Sequence, residues 1–539
     1  MMRAMTADWL FRNGTVRTDD PARPLASALA VRDGRVSGLD DDALAQAGPD
    51  TVEVDLDGGV LLPSFGDGHV HPLWGGVELT EAPVRDARSV DEVVAAVRRY
   101  AAEHPELEWV TGGSYDPTLA PGGLFEARWL DAAVPDRPVF LESSDHHSAW
   151  VNTEALRRAG VTATTADPPA ATVARRDDGE PLGTLVEWTA VDLVKRLVPV
   201  PDAATKRAGL RAATRLLAAA GVTWAQEAAL AAADVATYLA AADAGQLAVR
   251  VNIALRAEPA EWPAQRAAFA AARASAEGHP QVSAHTVKFF ADGVLEFGTA
   301  ALLEPYANAP HTCGLPVWSP QELAEAVTAF DADGFQVHIH AIGDAGVRAA
   351  LDAVEHAERT NGPRDRRAVI AHTQVVDPAD LPRFAKLGVI ANFEPLWACL
   401  DDCQLELTAP RLGPERSRLQ YPMRSLAASG APLSMGSDWP VSSLRPMEGL
   451  AVAVSRQNAA GQPAEGWIPG ERLDAGTAFR AYSAGVAYQA FEEDSWGRLA
   501  VGMRADLVAL AADPFTAAPG DWASIPVRGT WLSGVRSHG

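Results

Sequence analysis

Cysteine is nearly missing from this sequence: three residues in 539, Cys313, Cys399 and Cys403. So sparse and odd a set makes no disulfide framework and suits a reducing, cytoplasmic setting. Cys399 and Cys403 also lack a second ligand pair, which argues against a structural zinc site there. Positive charge is short as well. Forty-six Lys plus Arg stand against 70 Asp plus Glu, a net charge of −24, which repels polyanions and excludes nucleic acid and anionic membranes as partners. Lysine is rarer still, with four residues (Lys195, Lys206, Lys288 and Lys386) among those 46, chiefly a mark of arginine-rich coding. No run of 18 apolar residues occurs, so no bilayer-spanning segment is expected. The opening stretch Met1–Asp8 has no apolar core and does not read as a secretory signal.

What is present describes a globular chain, 47% hydrophobic and 22% charged, long enough to bury a large core. Both ends read as short strands with tight turns. Trp9–Phe11 runs into Asn13-Gly14, and Ala28–Val31 passes through Asp33-Gly34, while Ala505–Leu510 and Gly529–Gly534 repeat the style near the other end. Residues 1–60 and 497–539 are therefore expected to pair into one composite β-sandwich, since chain ends often lie close together. Between them, residues 61–496 alternate short apolar runs with alanine-rich helical stretches, the pattern of an α/β protein with a (β/α)8 TIM-like barrel. The eight expected strands are Val60–Leu62 leading to His71, Val222–Glu227, Val249–Leu255, Thr286–Phe290, Phe335–His340, Val369–Thr373, Gly388–Phe393 and Pro432–Gly436. The stretch from His71 to Val222 is too long for one crossover. A long insertion after the first barrel strand, residues 80–200, is expected there, with strands of its own at Trp109–Gly112 and Pro138–Glu142.

Polar residues at the strand ends carry the chemical signal, because that rim is where such barrels build active sites. His69-Val70-His71 puts two imidazoles on one strand face, about 6–7 Å apart at Cα and within reach of one metal. Later strands end in His338-Ile339-His340, in Ala371-His372 and in Gly436-Ser437-Asp438. Neutral imidazole and carboxylate suit zinc and similar divalent ions. Of His338 and His340, the latter lies nearer the rim and is read as the ligand, with His338 as a supporting residue. Lys288 stands in the apolar strand Val287–Phe290, a costly place for an ammonium unless it is paired or modified. The residues alone allow two readings. One is an ion pair, for instance with Asp292; the other is a lysine whose burial favours the neutral amine, which adds CO2 to give a carbamate able to bridge two metals.

In that order along a barrel, His-x-His, Lys, His, His and Asp resemble the metal-dependent amidohydrolase superfamily. Pro63–Pro72 is similar to its first-strand signature, although Ser64 replaces the usual glycine and Gly66 an aliphatic residue. Within the superfamily the likeness is to the amidohydrolase-3 branch, which includes the N-substituted formamide deformylases. Val287–Gly293, His340–Asp344, Gly436–Pro440, Asp145–Asn152 and Gly502–Leu507 all match that branch. The resemblance implies a barrel flanked by the composite sandwich. It implies that His69 and His71 bind one divalent metal with Asp438 beside it, and that His340 and His372 bind a second, with carboxylated Lys288 bridging. One or two ions fit, zinc being the first choice.

From this follows a hydrolase of a C–N bond in an amide or N-substituted formamide. The metal lowers the pKa of water towards 7 and polarises the scissile carbonyl, and Asp438 shuttles the proton to the leaving amine. His147 and Trp439 are expected to line the substrate pocket, and fifteen tryptophans hint at an apolar substrate group. The partner is a small molecule, with a homo-oligomer left open. Two alternatives remain: a deaminase or ester or lactone hydrolase on the same site, and a non-catalytic binding protein of this fold. Lys288 speaks against deamination, because the superfamily's deaminases generally lack that bridge.

Overall fold

The computed structural model describes residues 6–168 and 171–539. Met1–Met5, which begin the opening stretch considered above, lie outside them. Eight parallel strands, Phe65–Val70, Val222–Leu230, Arg250–Arg256, Val282–Phe290, Gln336–Ala341, Val369–His372, Ile390–Phe393 and Leu433–Met435, follow one another around a single sheet in chain order. The first and last are joined just past the last strand. Asp438 N donates to the His69 carbonyl at 2.7 Å and His71 N to the Trp439 carbonyl at 2.8 Å. Asp67 adds a side-chain tie, accepting from Ser437 N at 3.0 Å and Ser437 Oγ at 2.6 Å. The result is a (β/α)8 barrel.

One expected strand lies elsewhere. Val60–Pro63 pairs with Thr15–Arg17 and Leu507–Leu510 in the flanking sandwich, and the barrel begins at Phe65. The chain changes sheets between two residues: Ser64 N donates to Asp506 O and Phe65 N to Gly221 O, both at 3.0 Å. Both sheets bury this stretch completely, so apolar patterning cannot mark the switch. The sandwich itself is composite. Its larger sheet joins Thr15–Arg17, Leu25–Ala26 and Val60–Pro63 to Leu507–Leu510, Val527–Leu532 and Val535–His538. A four-stranded sheet (Trp9–Arg12, Leu29–Arg32, Arg35–Leu39 and Val52–Asp55) packs on it through a shared core that includes Phe11, Leu29, Leu507 and Trp531.

Between the first two barrel strands a five-stranded sheet holds Val110–Tyr115, Val139–Ser143, Ser148–Val151, Thr172–Arg175 and Pro181–Val186. Barrel helices bury one stripe each. In Asp344–Asn361 the buried Val347, Ala350, Leu351 and Val354 fall at helical spacing, and Ala353 and Ala357 let the helix approach closely. Among the described residues no helix is long and apolar enough to cross a membrane.

The barrel interior carries a polar belt one layer beneath the rim. Asn252 Nδ2 donates to Gln226 Oε1 at 2.9 Å and to Thr286 Oγ1 at 2.7 Å, and Thr286 Oγ1 donates to Gln336 Oε1 at 2.8 Å. On the far side, Asn392 Nδ2 donates to Ser434 Oγ at 2.9 Å and Ser434 Oγ to Gln489 Oε1 at 2.6 Å. Gln489 closes the circuit: its Nε2 donates to Gly68 O at 2.8 Å and its carbonyl accepts from Gln336 Nε2 at 3.0 Å.

Candidate metal centre

Strand alternation delivers the rim residues to one place. His69, His71, Lys288, His340, His372 and Asp438 are all buried and all line one cavity of about 1350 Å³. His69 Nε2 lies 3.5 Å from Asp438 Oδ1 and 3.4 Å from Lys288 Nζ, and His71 Nε2 lies 3.1 Å from the same Oδ1. The His372 ring is 4.7 Å from that of His69 and 4.5 Å from that of His340. One ligand atom from each of His69, His372 and Asp438 falls within 4.8 Å of the other two. Backbone strain accompanies the convergence. His372 (φ 71°) and Asp438 (φ 52°) both adopt left-handed conformations that are uncommon for non-glycine residues.

Each imidazole is held from behind. His71 Nδ1 pairs with Glu227 Oε1 at 3.3 Å and His372 Nδ1 with Glu394 Oε2 at 2.8 Å. His69 Nδ1 pairs with His338 Nε2 at 2.9 Å, and His340 Nε2 with the Gly293 carbonyl at 3.2 Å. A partner on one ring nitrogen fixes ring orientation and tautomer and leaves the other nitrogen for a metal. His338 therefore supports His69, as its position below the rim suggested. The glutamates Glu227 and Glu394 were not anticipated, although both stand at the ends of strands already recognised.

Electrostatics favour neutral donors. Burial drives the His372 imidazole down to about 3 and, with the charge of Asp438, pushes the Glu394 carboxyl well above its usual range. Burial also lowers the Lys288 amine from 10.5 to about 7, against the pull of Asp438 and Glu394. His71 is the exception: burial opposes its charge, but the adjacent carboxylates of Asp438 and Glu227 lift it to about 9. Asp438 Oδ1 is buried without a directed hydrogen bond even though two imidazoles stand close by. A divalent cation among these nitrogens would satisfy it, so the donor set fits a metal ion.

Lys288 does not pair with Asp292. Asp292 accepts instead from the backbone N–H groups of Ala301, Ile342 and Gly343 at 2.8–3.0 Å. The lysine turns to His69 and to the face of Phe290, 4.8 Å from the ring centre. His147 lines the cavity. Its Nδ1 is 2.9 Å from Glu187 Oε2 and its ring 5.8 Å from that of His340. Trp439 does not line it. A Cβ at Gly75 would come within 2.4 Å of the indole, which packs against the helix Pro72–Glu78. The left-handed turn at Asp438 sends the carboxylate into the cavity and the neighbouring ring behind it. Trp74, Trp188 and Trp397, from other segments, supply the aromatic wall.

The amidohydrolase family model matches residues 52–538. The Arabidopsis thaliana protein LONG AFTER FAR-RED 3 is 32% identical over 99% of this chain and 92% of its own. An N-substituted formamide deformylase from Arthrobacter pascens is 25% identical over 98% of each chain. The fold matches that of a metal-dependent hydrolase from Pyrococcus horikoshii, itself uncharacterised, with a TM-score of 0.74 over 95% of this chain and 99% of that one at 23% identity. Barrel, flanking sandwich, the order of the rim residues and a family match running almost from end to end agree, and the chain belongs to the amidohydrolase family.

Proposed function

We propose that the protein is a metal-dependent hydrolase of a carbon–nitrogen bond, cleaving an amide or an N-substituted formamide to a carboxylic acid and an amine. The observation that carries this reading is Asp438 Oδ1, buried 3.5 Å and 3.1 Å from the inward nitrogens of His69 and His71 with no well-directed hydrogen bond to either. His69, His71 and Asp438 would hold one divalent ion, zinc being the best match to nitrogen and oxygen donors. His340 and His372 would hold a second, with Lys288 bridging as a carbamate, a modification that needs the neutral amine its burial favours. Such an ion supplies acidified water and a Lewis acid for the carbonyl.

The chain's own residues do the rest. Asp438 takes a proton from the attacking water and returns it to the departing amine nitrogen, so that the amine leaves neutral. Glu227 and Glu394 keep His71 and His372 aimed through that exchange. Trp74, Trp188 and Phe290 give the N-substituent an apolar wall and thin out water around the reacting carbonyl. Elemental analysis of protein made without chelator is expected to find one to two equivalents of divalent metal. A panel of N-formyl and N-acyl amines, scored by amine release, is expected to contain a substrate. Full activity in metal-free protein would overturn the reading, as would turnover confined to esters, lactones or amidine-type deamination substrates.

A further inference from the structure

The cavity is more acidic than a metal centre requires. Among the described residues, twelve Asp and Glu line it against four Lys and Arg, a field that draws cations in and turns anions away. Besides Lys288, each cation is already neutralised: Lys195 by Glu142 at 2.7 Å, Lys206 by Asp234 and Arg256 by Glu258, both at 2.6 Å. Part of the surplus lies on one wall. Asp145 accepts hydrogen bonds from Ser143 Oγ and the backbone N–H of His147, and Glu296 accepts from Cys403 Sγ and Thr408 Oγ1. None of these donors is a cation. Gln404, next to Cys403 in the chain and lining the same cavity, is only 3% exposed, and its Oε1 is buried with no partner; Asp145 Oδ2 is in the same condition. Cys403–Thr408 is a π-helical turn, an irregularity that often serves to bring side chains to a ligand. The wall adjoins the reaction centre, since Asp145 Oδ1 lies 2.9 Å from His147 N and Trp397, stacked on His372 at 5.4 Å, lines the same cavity.

We propose that Asp145, Glu296 and Gln404 form a subsite for a protonated amine, so that the substrate is an amide or formamide bearing an ammonium group away from the scissile bond. The substrate class named here rests on the C–N hydrolase reading, whereas the ammonium site itself does not. A primary ammonium has three donors and no acceptor, matching the Asp145 and Glu296 carboxylates and the Gln404 carbonyl. A substrate carboxylate in the same place would face two acids.

Two measurements on the metal-loaded protein test it separately from the reaction. The first compares N-formyl α,ω-diamines with n-alkylformamides of equal length. The ammonium compounds should show kcat/KM higher by about 10- to 100-fold, the worth of one or two charge-assisted hydrogen bonds, mostly through KM. That ratio should fall towards one in Glu296→Gln and in Asp145→Asn, each checked for folding by thermal melting. The second is calorimetric titration with butylammonium chloride and with butanol at constant ionic strength. Binding of the cation alone, weakened in both variants and in Gln404→Leu, supports the subsite even if no formamide is hydrolysed. Formamide turnover without preference for the ammonium compounds would overturn the subsite and leave the hydrolase reading standing. So would an extra equivalent of divalent metal that is lost in Glu296→Gln, since the wall would then hold a metal ion instead.

Discussion

Thr286 and Lys288, like Gln336 and His338, stand two positions apart on their strands, and across that step the barrel interior changes character. Below, the amides and hydroxyls of the belt donate and accept among themselves, apart from Asn392 Oδ1, with Thr286, Gln226, Ser434 and Gln489 wholly buried. Above, once the imidazoles are braced, the rim keeps groups left open: an Asp438 oxygen without a directed hydrogen bond, a lysine without a carboxylate partner, and left-handed backbone at His372 and Asp438. Buried polar groups cost stability when unmet and contribute to it when met. The belt has the composition of a structural layer and the rim that of a site waiting for charge.

This contrast predicts a ranking of effects. Replacing His69 and His71 together with alanine should abolish metal content and hydrolysis while circular dichroism stays native, because the fold rests on the layers beneath. Gross unfolding would erase the distinction between rim and belt. Lys288→Ala should lose most activity, and Lys288→Arg should fare no better, since a guanidinium keeps its charge. A small carboxylic acid added to Lys288→Ala should restore part of the rate by standing in for a carbamate. A tolerated arginine would instead mark the lysine as a plain cation. Asp438→Asn should keep some metal and lose about 10²–10⁴-fold in kcat, the usual worth of a proton shuttle, measured on any substrate the panel yields.

The belt should respond in the opposite sense. Gln336→Leu removes bonds to Thr286, to the Arg367 carbonyl and to the Gln489 carbonyl. It should cost roughly 2–4 kcal/mol in denaturant unfolding with kcat per folded molecule unchanged; a loss of kcat instead would join the two layers into one functional unit. The smallest effect is expected from an unsatisfied carboxylate outside both. Burial lifts Asp19 from 3.8 to about 6 against Arg480 and Arg498, and its Oδ2 is unpartnered. The folded state thus holds this proton more tightly than the unfolded chain, so stability falls as pH rises from about 4 to 6 and the penalty persists at pH 7. Asp19→Asn should raise the melting temperature at pH 7 by about one or two degrees, and the gain should vanish near pH 4.

The rim was legible because strand-end histidines and an acid interrupt apolar runs, and periodicity places them on one face. The same rule reaches Glu227, which closes the run Val222–Glu227, and Glu394, which directly follows the run Gly388–Phe393; they escaped notice because a lone glutamate at a strand end looks like ordinary surface. The boundary between sandwich and barrel was invisible, as Val60–Pro63 and Phe65–Val70 are equally buried in different sheets. Trp439 was misplaced because sequence adjacency to Asp438 says nothing about which way a left-handed turn throws the next side chain. The wall around Gln404 depends on a helix irregularity and on three segments meeting, which no local pattern records.

The sandwich joins strands from distant parts of the chain: Trp9 Nε1 donates to the Gly534 carbonyl across 525 positions, and Phe11 meets Trp531 edge-on at 4.8 Å. During synthesis the early strands must therefore wait, with the edge of Val60–Pro63 unpaired, until nearly all the barrel has left the ribosome. Contacts of such separation form late, and a waiting edge invites pairing with other chains. Yield on expression should then be governed less by the stability of the finished barrel than by how long that edge stays open, and chaperone dependence should track strands 507–538 more closely than any residue of the active site.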